Sequence, residues 1–261
     1  MFKIIRASLF KLFKDRPFKI TLIIGAALAV VMSLFYHFLL PELGSGFYSL
    51  ITASSPTNNF GLAVPINLVV FIIGEYNYGT IRNKIIAGNK RINIYIALFI
   101  MSLIYSLMMM AMYIGLSVGL STLLGGWLPE GMTSDTKMVL SVIGATIMVY
   151  VTLSALSVFA ATSIRHVGGA ITVTIMLIMV GYIAGLVTSL NVAFDSEATH
   201  FPVLVQILDP IFLHSIVSMS TISISVSDIS ELLPYSLLSN GIYTAIFLTG
   251  GILLFNYCDV K

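Results

Sequence analysis

The sequence of 261 residues contains little charge: charged side chains make up 9% of it, against about 25% in an ordinary soluble domain. Hydrophobic residues make up 58%. So few charged groups cannot cover the surface of a soluble globule of this length. A soluble enzyme, a nucleic-acid-binding protein and a disordered chain are therefore excluded. The composition predicts an all-α integral membrane protein with a single transmembrane domain, 1–261.

Catalytic and metal-binding patterns are also missing. The single cysteine, Cys258, allows no internal disulfide and no cysteine-based metal site. The four histidines are scattered, and no G-x4-G-K-S/T sequence is present to hold the phosphates of ATP. No histidine and carboxylate pattern accompanies the serines. We therefore predict that this chain is not an enzyme by itself and has no catalytic, metal-binding or cofactor-binding residues.

A helix needs about 20 residues to cross about 30 Å of hydrocarbon, and six apolar segments have lengths near or above this. They are predicted as spans at 17–40, 59–74, 94–124, 138–163, 169–190 and 236–257. The second is short and contains Pro65, whereas the third is long enough to need a tilt or a break near Gly115 or Gly119. Segment 203–217 is apolar but short and contains Asp209, so we predict a re-entrant element before the sixth span, with seven spans as the alternative.

The distribution of basic residues predicts the orientation. With the N-terminus in the cytoplasm, twelve of the thirteen lysines and arginines lie on the cytoplasmic side, and only Lys137 lies outside. Eight of the eleven acidic residues lie outside. This asymmetry follows the positive-inside rule, so both termini are predicted to be cytoplasmic.

Residues 1–16 are predicted to form an amphipathic helix in the inner membrane interface. Apolar side chains share one helical face: Phe2, Ile5, Leu9, Leu12 and Phe13. Lysines lie roughly opposite: Lys3, Lys11 and Lys14. Ile4 and Phe10 disturb this separation. Apolar burial and anionic lipid would hold such a helix, and Pro17 allows a sharp turn into the first span.

The segment between spans 2 and 3 combines a carboxylate and glycines with isoleucines and four cations. Thr80 is predicted to cap a short helix and Gly88 to end it, so that the element covers 79–89. Apolar side chains would give this helix a patch for a cytoplasmic partner: Ile81, Ile85 and either Ala87 or Ile86. A solvated loop that only sets the topology is the alternative, but it does not explain the isoleucines.

The pattern Glu75-x3-Gly79-Thr80, followed by a short helix and by Lys90-Arg91, resembles the permease subunits of ABC-2 type exporters. In that family the short helix is the coupling helix, which seats in a groove of the ATPase subunit. The whole plan is similar too, with an N-terminal interfacial helix, six spans, both ends inside and a re-entrant element before span six. The resemblance is to the drug, bacitracin, lantibiotic-immunity and cytolytic-peptide exporters of the bacterial cytoplasmic membrane.

This resemblance implies a set of site residues and partners. The coupling residues would be Glu75, Gly79, Thr80, Ile81, Arg82, Asn83, Lys84, Ile85 and Ile86. Arg165 and His166 would add a second ATPase contact. The implied partners are an ABC ATPase in two copies, which binds ATP and Mg, and a second permease subunit, identical or homologous. The other expected partners are membrane lipid and, as cargo, an amphipathic peptide or a lipophilic drug. No nucleic acid is expected as a partner.

Two other classes of function stay open on the sequence. One is a self-contained channel or secondary carrier, and the other is a membrane anchor that transports nothing. A carrier driven by protons or sodium usually keeps carboxylates near mid-membrane. The six predicted spans contain no acidic residue, which favours a permease that receives its energy from a partner.

Overall fold

The structure is a computed structural model that describes residues 2–40, 44–54, 61–128, 136–193 and 229–257. Every regular element in these ranges is an α-helix, which confirms the predicted all-α class. In chain order the helices are α1 (Phe2–Lys14), α2 (Arg16–Leu39), α3 (Gly46–Ser54), α4 (Ala63–Asn77), α5 (Thr80–Ile86), α6 (Arg91–Gly125), α7 (Thr136–Ile164), α8 (Val167–Ala193) and α9 (Ile229–Tyr257).

Four stretches of the described chain are long and apolar enough to cross a membrane. They are Arg16–Leu39, Arg91–Gly125, Val139–Ile164 and Leu237–Tyr257. They agree with the predicted spans 17–40, 94–124, 138–163 and 236–257, and they give the chain the character of a membrane protein. Helix α6 is continuous over 35 residues, so the break considered at Gly115 or Gly119 does not occur.

The second predicted span, 59–74, differs from the helix observed there. Helix α4 begins later, ends later and has 15 residues, fewer than a bilayer crossing needs. The short helix α3 precedes it and was not predicted, because nine residues are too few to indicate a span. The N–H of Gly46 donates to the carbonyl of Gly126 at 2.9 Å, which fixes α3 beside the end of α6.

The predicted fifth span, 169–190, falls within helix α8. This helix has 27 residues. The predicted re-entrant segment, 203–217, lies outside the described residues.

The predicted N-terminal helix, 1–16, agrees with α1. Asp15 separates α1 from α2 because its extended backbone, with ψ of 137°, cannot continue a helix. Pro17 follows in the first turn of α2, where it has no helical hydrogen bond to lose.

Buried tyrosines and small polar side chains fill the space between the long helices. Four tyrosines are fully buried: Tyr95, Tyr105, Tyr113 and Tyr150. The hydroxyls of Ser106 and Ser154 lie 2.5 Å apart and join α6 to α7. The hydroxyls of Thr152 and Thr244 lie 3.0 Å apart and join α7 to α9. In each pair one hydroxyl donates to the other, and the accepting hydroxyl has its own proton left to donate to a carbonyl of its helix, so the polar groups are satisfied in apolar surroundings.

The ends of several helices meet at one end of the molecule. Arg91, at the start of α6, donates from Nη1 to the carbonyl of Asn256 near the end of α9, at 3.1 Å. The rings of Tyr76 on α4 and Phe255 on α9 have centroids 6.5 Å apart. We call this the basic end, because Lys11, Lys84, Arg91 and Arg165 all make contacts there. The candidate site lies there.

Candidate functional site

The site is built around Glu75, whose side chain is fully buried in the last turn of α4. Lys84 of α5 places its Nζ 2.5 Å from Oε2 of this carboxylate. Lys11 of α1 places its Nζ 2.9 Å from Oε1. One carboxylate therefore joins three helices. We call Lys11, Glu75 and Lys84 the carboxylate joint.

The electrostatics of the joint keep its carboxylate charged. Burial raises the pKa of Glu75, because desolvation disfavours the ionised form. The charges and hydrogen bonds of Lys84 and Lys11 outweigh burial, so the pKa of Glu75 lies below its ordinary value of 4.5. The two lysines differ in access to solvent, since the side chain of Lys11 is 38% exposed and that of Lys84 is 13% exposed.

Glycines set both ends of helix α5. Gly79 precedes the helix with a left-handed backbone, φ of 65°, and no side chain caps the first turn. The prediction that Thr80 caps α5 is therefore wrong, because Thr80 is already the first helical residue. Gly88, with φ of 82°, follows the helix as predicted. Its N–H donates to the carbonyl of Ile85 at 2.9 Å, which satisfies one of the free carbonyls of the last turn.

The isoleucines of α5 do not form the single patch that was predicted. Ile81 is fully buried and belongs to the main core. Ile85 is partly buried and packs against the same core. Ile86 is 73% exposed. The helix is therefore anchored through Ile81 and Ile85, and it leaves Ile86 for contact with its surroundings.

Other exposed groups surround Ile86 in the sequence. Arg82 and Asn83 are exposed on α5, and the Tyr78 side chain just before the helix is 79% exposed. Lys11 Nζ lies 5.5 Å from the centroid of the Tyr78 ring, which links this tyrosine to the carboxylate joint. We call Tyr78, Arg82, Asn83 and Ile86 the α5 surface.

The predicted second contact, Arg165 and His166, lies in the turn between α7 and α8. The Arg165 guanidinium carbon lies 5.5 Å from the centroid of the Tyr76 ring, so this residue is brought next to the neighbour of Glu75. The His166 side chain has a local role instead, because its Nδ1 accepts from the N–H of Gly169 at 3.4 Å in the first turn of α8. Within the chain the two side chains therefore contact different residues.

Two residues of the site were missed in the sequence. Lys11 was predicted only as part of the basic face opposite the apolar one, and the bond from its ammonium group to Glu75 was not predicted. Ser8 is buried on α1, and its hydroxyl accepts from Lys84 Nζ at 3.1 Å. A signal was present, since Glu75 is the only acid between Glu42 and Glu130 and a buried acid needs a cation. The sequence does not indicate which cation that is.

The donor set of the joint suits an ion pair and not a metal, because two ammonium groups already occupy both carboxylate oxygens. Among the described residues, no group of three or more histidine, cysteine or acidic side chains could hold a metal ion. Comparison of the chain with protein-family models and with curated protein sequences finds no match.

Proposed function

We propose that this chain is the membrane-spanning permease subunit of an ATP-driven ABC-2 type exporter. The observation that supports this most is the arrangement of α5. A helix of seven residues is not stable alone, and α5 is held by Ile81 and by Lys84. The α5 surface nevertheless presents the exposed side chains of Tyr78 and Ile86. A firmly anchored short helix with exposed apolar groups is suited to docking a partner.

The chemistry of the α5 surface favours a groove with an apolar floor and an acidic rim. Ile86 would enter the floor, and Arg82 would pair with the rim, because both side chains are exposed and close in the sequence. The proposed owner of the groove is an ABC ATPase subunit, two copies per transporter, which binds ATP and Mg. The permease itself has no sequence for holding ATP phosphates.

The carboxylate joint offers a route for movement from α5 into the membrane. Closure of the ATPases around ATP would push on α5, which is bonded to Glu75 through Lys84. Glu75 belongs to α4 and is also bonded to Lys11 of α1. Displacement of α5 would therefore move α4 and α1 together. In the proposal this tilts the second and third spans and changes access between the two sides of the membrane.

We also propose how the chain crosses the membrane. The full transporter subunit would have six spans, with α4 and α8 contributing the second and fifth, a re-entrant element at 203–217 and an interfacial helix at 1–16. Both termini would be cytoplasmic in a bacterial membrane. A second permease, identical or homologous, would complete the pathway, because six spans are too few to enclose a wide path. The cargo would be an amphipathic peptide or a lipophilic drug, since the predicted spans contain no acidic residue.

The first test is purification of the chain from its native host in a gentle detergent, with its partners identified by mass spectrometry. We expect an ABC ATPase to co-purify, together with any second permease. Purification without an ATPase, combined with solute flux through the isolated chain in liposomes, would replace the proposal with a channel or carrier. A bound partner without any ATP-dependent transport would indicate a membrane anchor.

The second test changes the α5 surface. Ile86→Glu should lower recovery of the ATPase about tenfold or more, because loss of a central apolar anchor is costly at protein interfaces. Ile92→Glu is the matched control, since Ile92 is 43% exposed but lies in the first turn of α6. Ile85 is unsuitable because it packs against the core. Undiminished recovery with Ile86→Glu would refute α5 as the coupling helix.

A further inference from the structure

Helix α1 has two faces with different surroundings. On one face Ser8 and Leu12 are 3% and 2% exposed, and Lys11 reaches Glu75. On the other face Phe10 and Phe13 are 66% and 44% exposed. The same short helix therefore contacts the carboxylate joint on one side and presents two aromatic rings on the other.

The exposed face of α1 is cationic as well as aromatic. Lys14 Nζ lies 5.2 Å from the centroid of the Phe10 ring. Arg6 is exposed and lies one turn before Phe10, so it shares that face. From residue 2 to residue 19 the sequence contains six cations and a single acid, Asp15. Exposed phenylalanine beside lysine and arginine is the pattern of a helix that binds an anionic lipid surface.

The continuation into α2 favours lipid over a soluble partner. The Phe13 ring packs edge-on against Phe18 of α2, with centroids 5.3 Å apart. Ile20 and Ile23, on the next turn of α2, are 55% and 65% exposed. A helix long enough to cross a membrane, with exposed isoleucines, therefore begins within a few residues of the aromatic face of α1. The boundary between them is where phospholipid headgroups would lie.

We infer that anionic phospholipid binds the face of α1 formed by Arg6, Phe10, Phe13 and Lys14, and that this binding stabilises the carboxylate joint. Lipid on one face holds α1 where Lys11 and Ser8 on the other face can bond to Glu75 and Lys84. The charge of the inner leaflet then regulates how firmly α5 is held. This regulation of coupling rests on the proposed function, whereas the effect of lipid on the joint needs no ATPase.

The test uses the full chain in nanodiscs of phosphatidylcholine, or of phosphatidylcholine mixed with phosphatidylglycerol. Hydrogen exchange is measured for the amides of α1 and α5. We expect phosphatidylglycerol to slow exchange in both helices. Lys14→Gln should reduce this effect about fivefold, the typical contribution of one cation at a charged membrane surface. Lys90→Gln, which removes an exposed cation beside α6, is the matched control and should leave the effect unchanged.

The variant Glu75→Gln tests separately whether lipid binds α1 and whether that binding stabilises α5. In this variant phosphatidylglycerol should still protect α1 but should no longer protect α5, because the carboxylate that links them is gone. Unchanged protection of α6 and α7 would show that the variant is folded.

Several outcomes would overturn the inference. One is equal amide exchange of α1 and α5 in the two lipid mixtures for the wild-type chain. Another is that Lys14→Gln and Lys90→Gln reduce the protection by phosphatidylglycerol equally. Protection of α1 that requires the ATPase and not the lipid would assign its exposed face to a protein contact. Failure of the exporter proposal would look different, since no ATPase would co-purify while the lipid effect persisted.

Discussion

At the scale of single residues, the carboxylate joint is asymmetric. Glu75 has both oxygens occupied and no exposed surface. Lys84 is bonded to Glu75 and to Ser8, whereas Lys11 keeps over a third of its side chain in contact with the surroundings. A partly exposed lysine can turn towards water when its partner is lost, but a buried one cannot. The joint should therefore depend more on the carboxylate than on Lys11.

Glu75→Gln should weaken the docking of α5 by about 2 kcal/mol, because the buried lysine loses its charged hydrogen bond. Lys11→Gln should cost clearly less, since Glu75 keeps Lys84. Hydrogen exchange of the α5 amides in detergent measures both effects. Asp15→Asn is the control that also removes a carboxylate, because Asp15 makes no side-chain cap to α2. An equal cost for all three variants would contradict the asymmetry.

The joint should also respond to acid. Because the pKa of Glu75 is lowered in the folded chain, its contribution to stability is complete above pH 4.5 and is lost as the pH falls through the lowered pKa. A spin label at Asn83→Cys, with Cys258→Ser, should become more mobile only below pH 4.5. The same label in Glu75→Gln should lack this transition. A transition near neutral pH would contradict the ion pair.

At the scale of elements, α5 depends on its flanking turns as much as on its own residues. Gly79 holds a left-handed backbone before it, and Gly88 holds one after it. Only glycine adopts this conformation without strain in most sequences. Together with Ile81 in the core, these turns decide that Ile86 points away from the protein.

Gly79→Ala should lower the stability of the α5 region by about 1–2 kcal/mol, the cost of a left-handed conformation for a residue with a Cβ. Gly79→Asn should cost less, because asparagine tolerates this region. Gly74→Ala is the matched control, since a Cβ there would meet its nearest neighbour, Tyr78, at an ordinary 3.9 Å. Protease protection of the α5 segment reports the difference, and equal effects of Gly79→Ala and Gly74→Ala would argue against it.

At the scale of the whole molecule, α6 is the helix to which most of the others are attached. Its start contacts the end of α9 through Arg91, and its end contacts α3 through Gly126. Tyr95 crosses to α9, where its hydroxyl donates to the carbonyl of Phe247 at 3.4 Å. The two helices approach closely because Gly251 leaves room for this ring.

Gly251→Ala should lower the thermal unfolding temperature in detergent, because the added methyl group would collide with the Tyr95 hydroxyl and lie 2.6 Å from its Cζ. Overpacking of this kind costs about 1–3 kcal/mol. Gly250→Ala is the control, since its nearest neighbour would be Phe159 at 3.6 Å. Adding Tyr95→Phe should restore part of the loss by removing the hydroxyl. Equal unfolding temperatures for the two alanine variants would refute the close approach.

Prediction from sequence succeeded where the signal is local. Residues that are close together in the chain are enough to predict the four long apolar helices and the helix at the N-terminus. The same holds for the glycine after α5. Helix α3 was missed because its nine residues are held by contacts with α6 rather than by length or propensity. Glu75 was singled out from its place in the sequence, but its bond to Lys11 of α1 was not predicted, because the two residues are far apart in the chain.

The sequence by itself determined that this is an all-helical chain of membrane character. A long apolar run with few charges favours a helix in a membrane, whichever other helices it packs against. Only the tertiary structure decided which lysines neutralise Glu75 and which isoleucine of α5 stays exposed. Lys11 and Glu75 are separated by 64 positions in the chain. Their pairing depends on how α1, α4 and α5 pack, and such packing is a property of the assembled helices and not of any one of them.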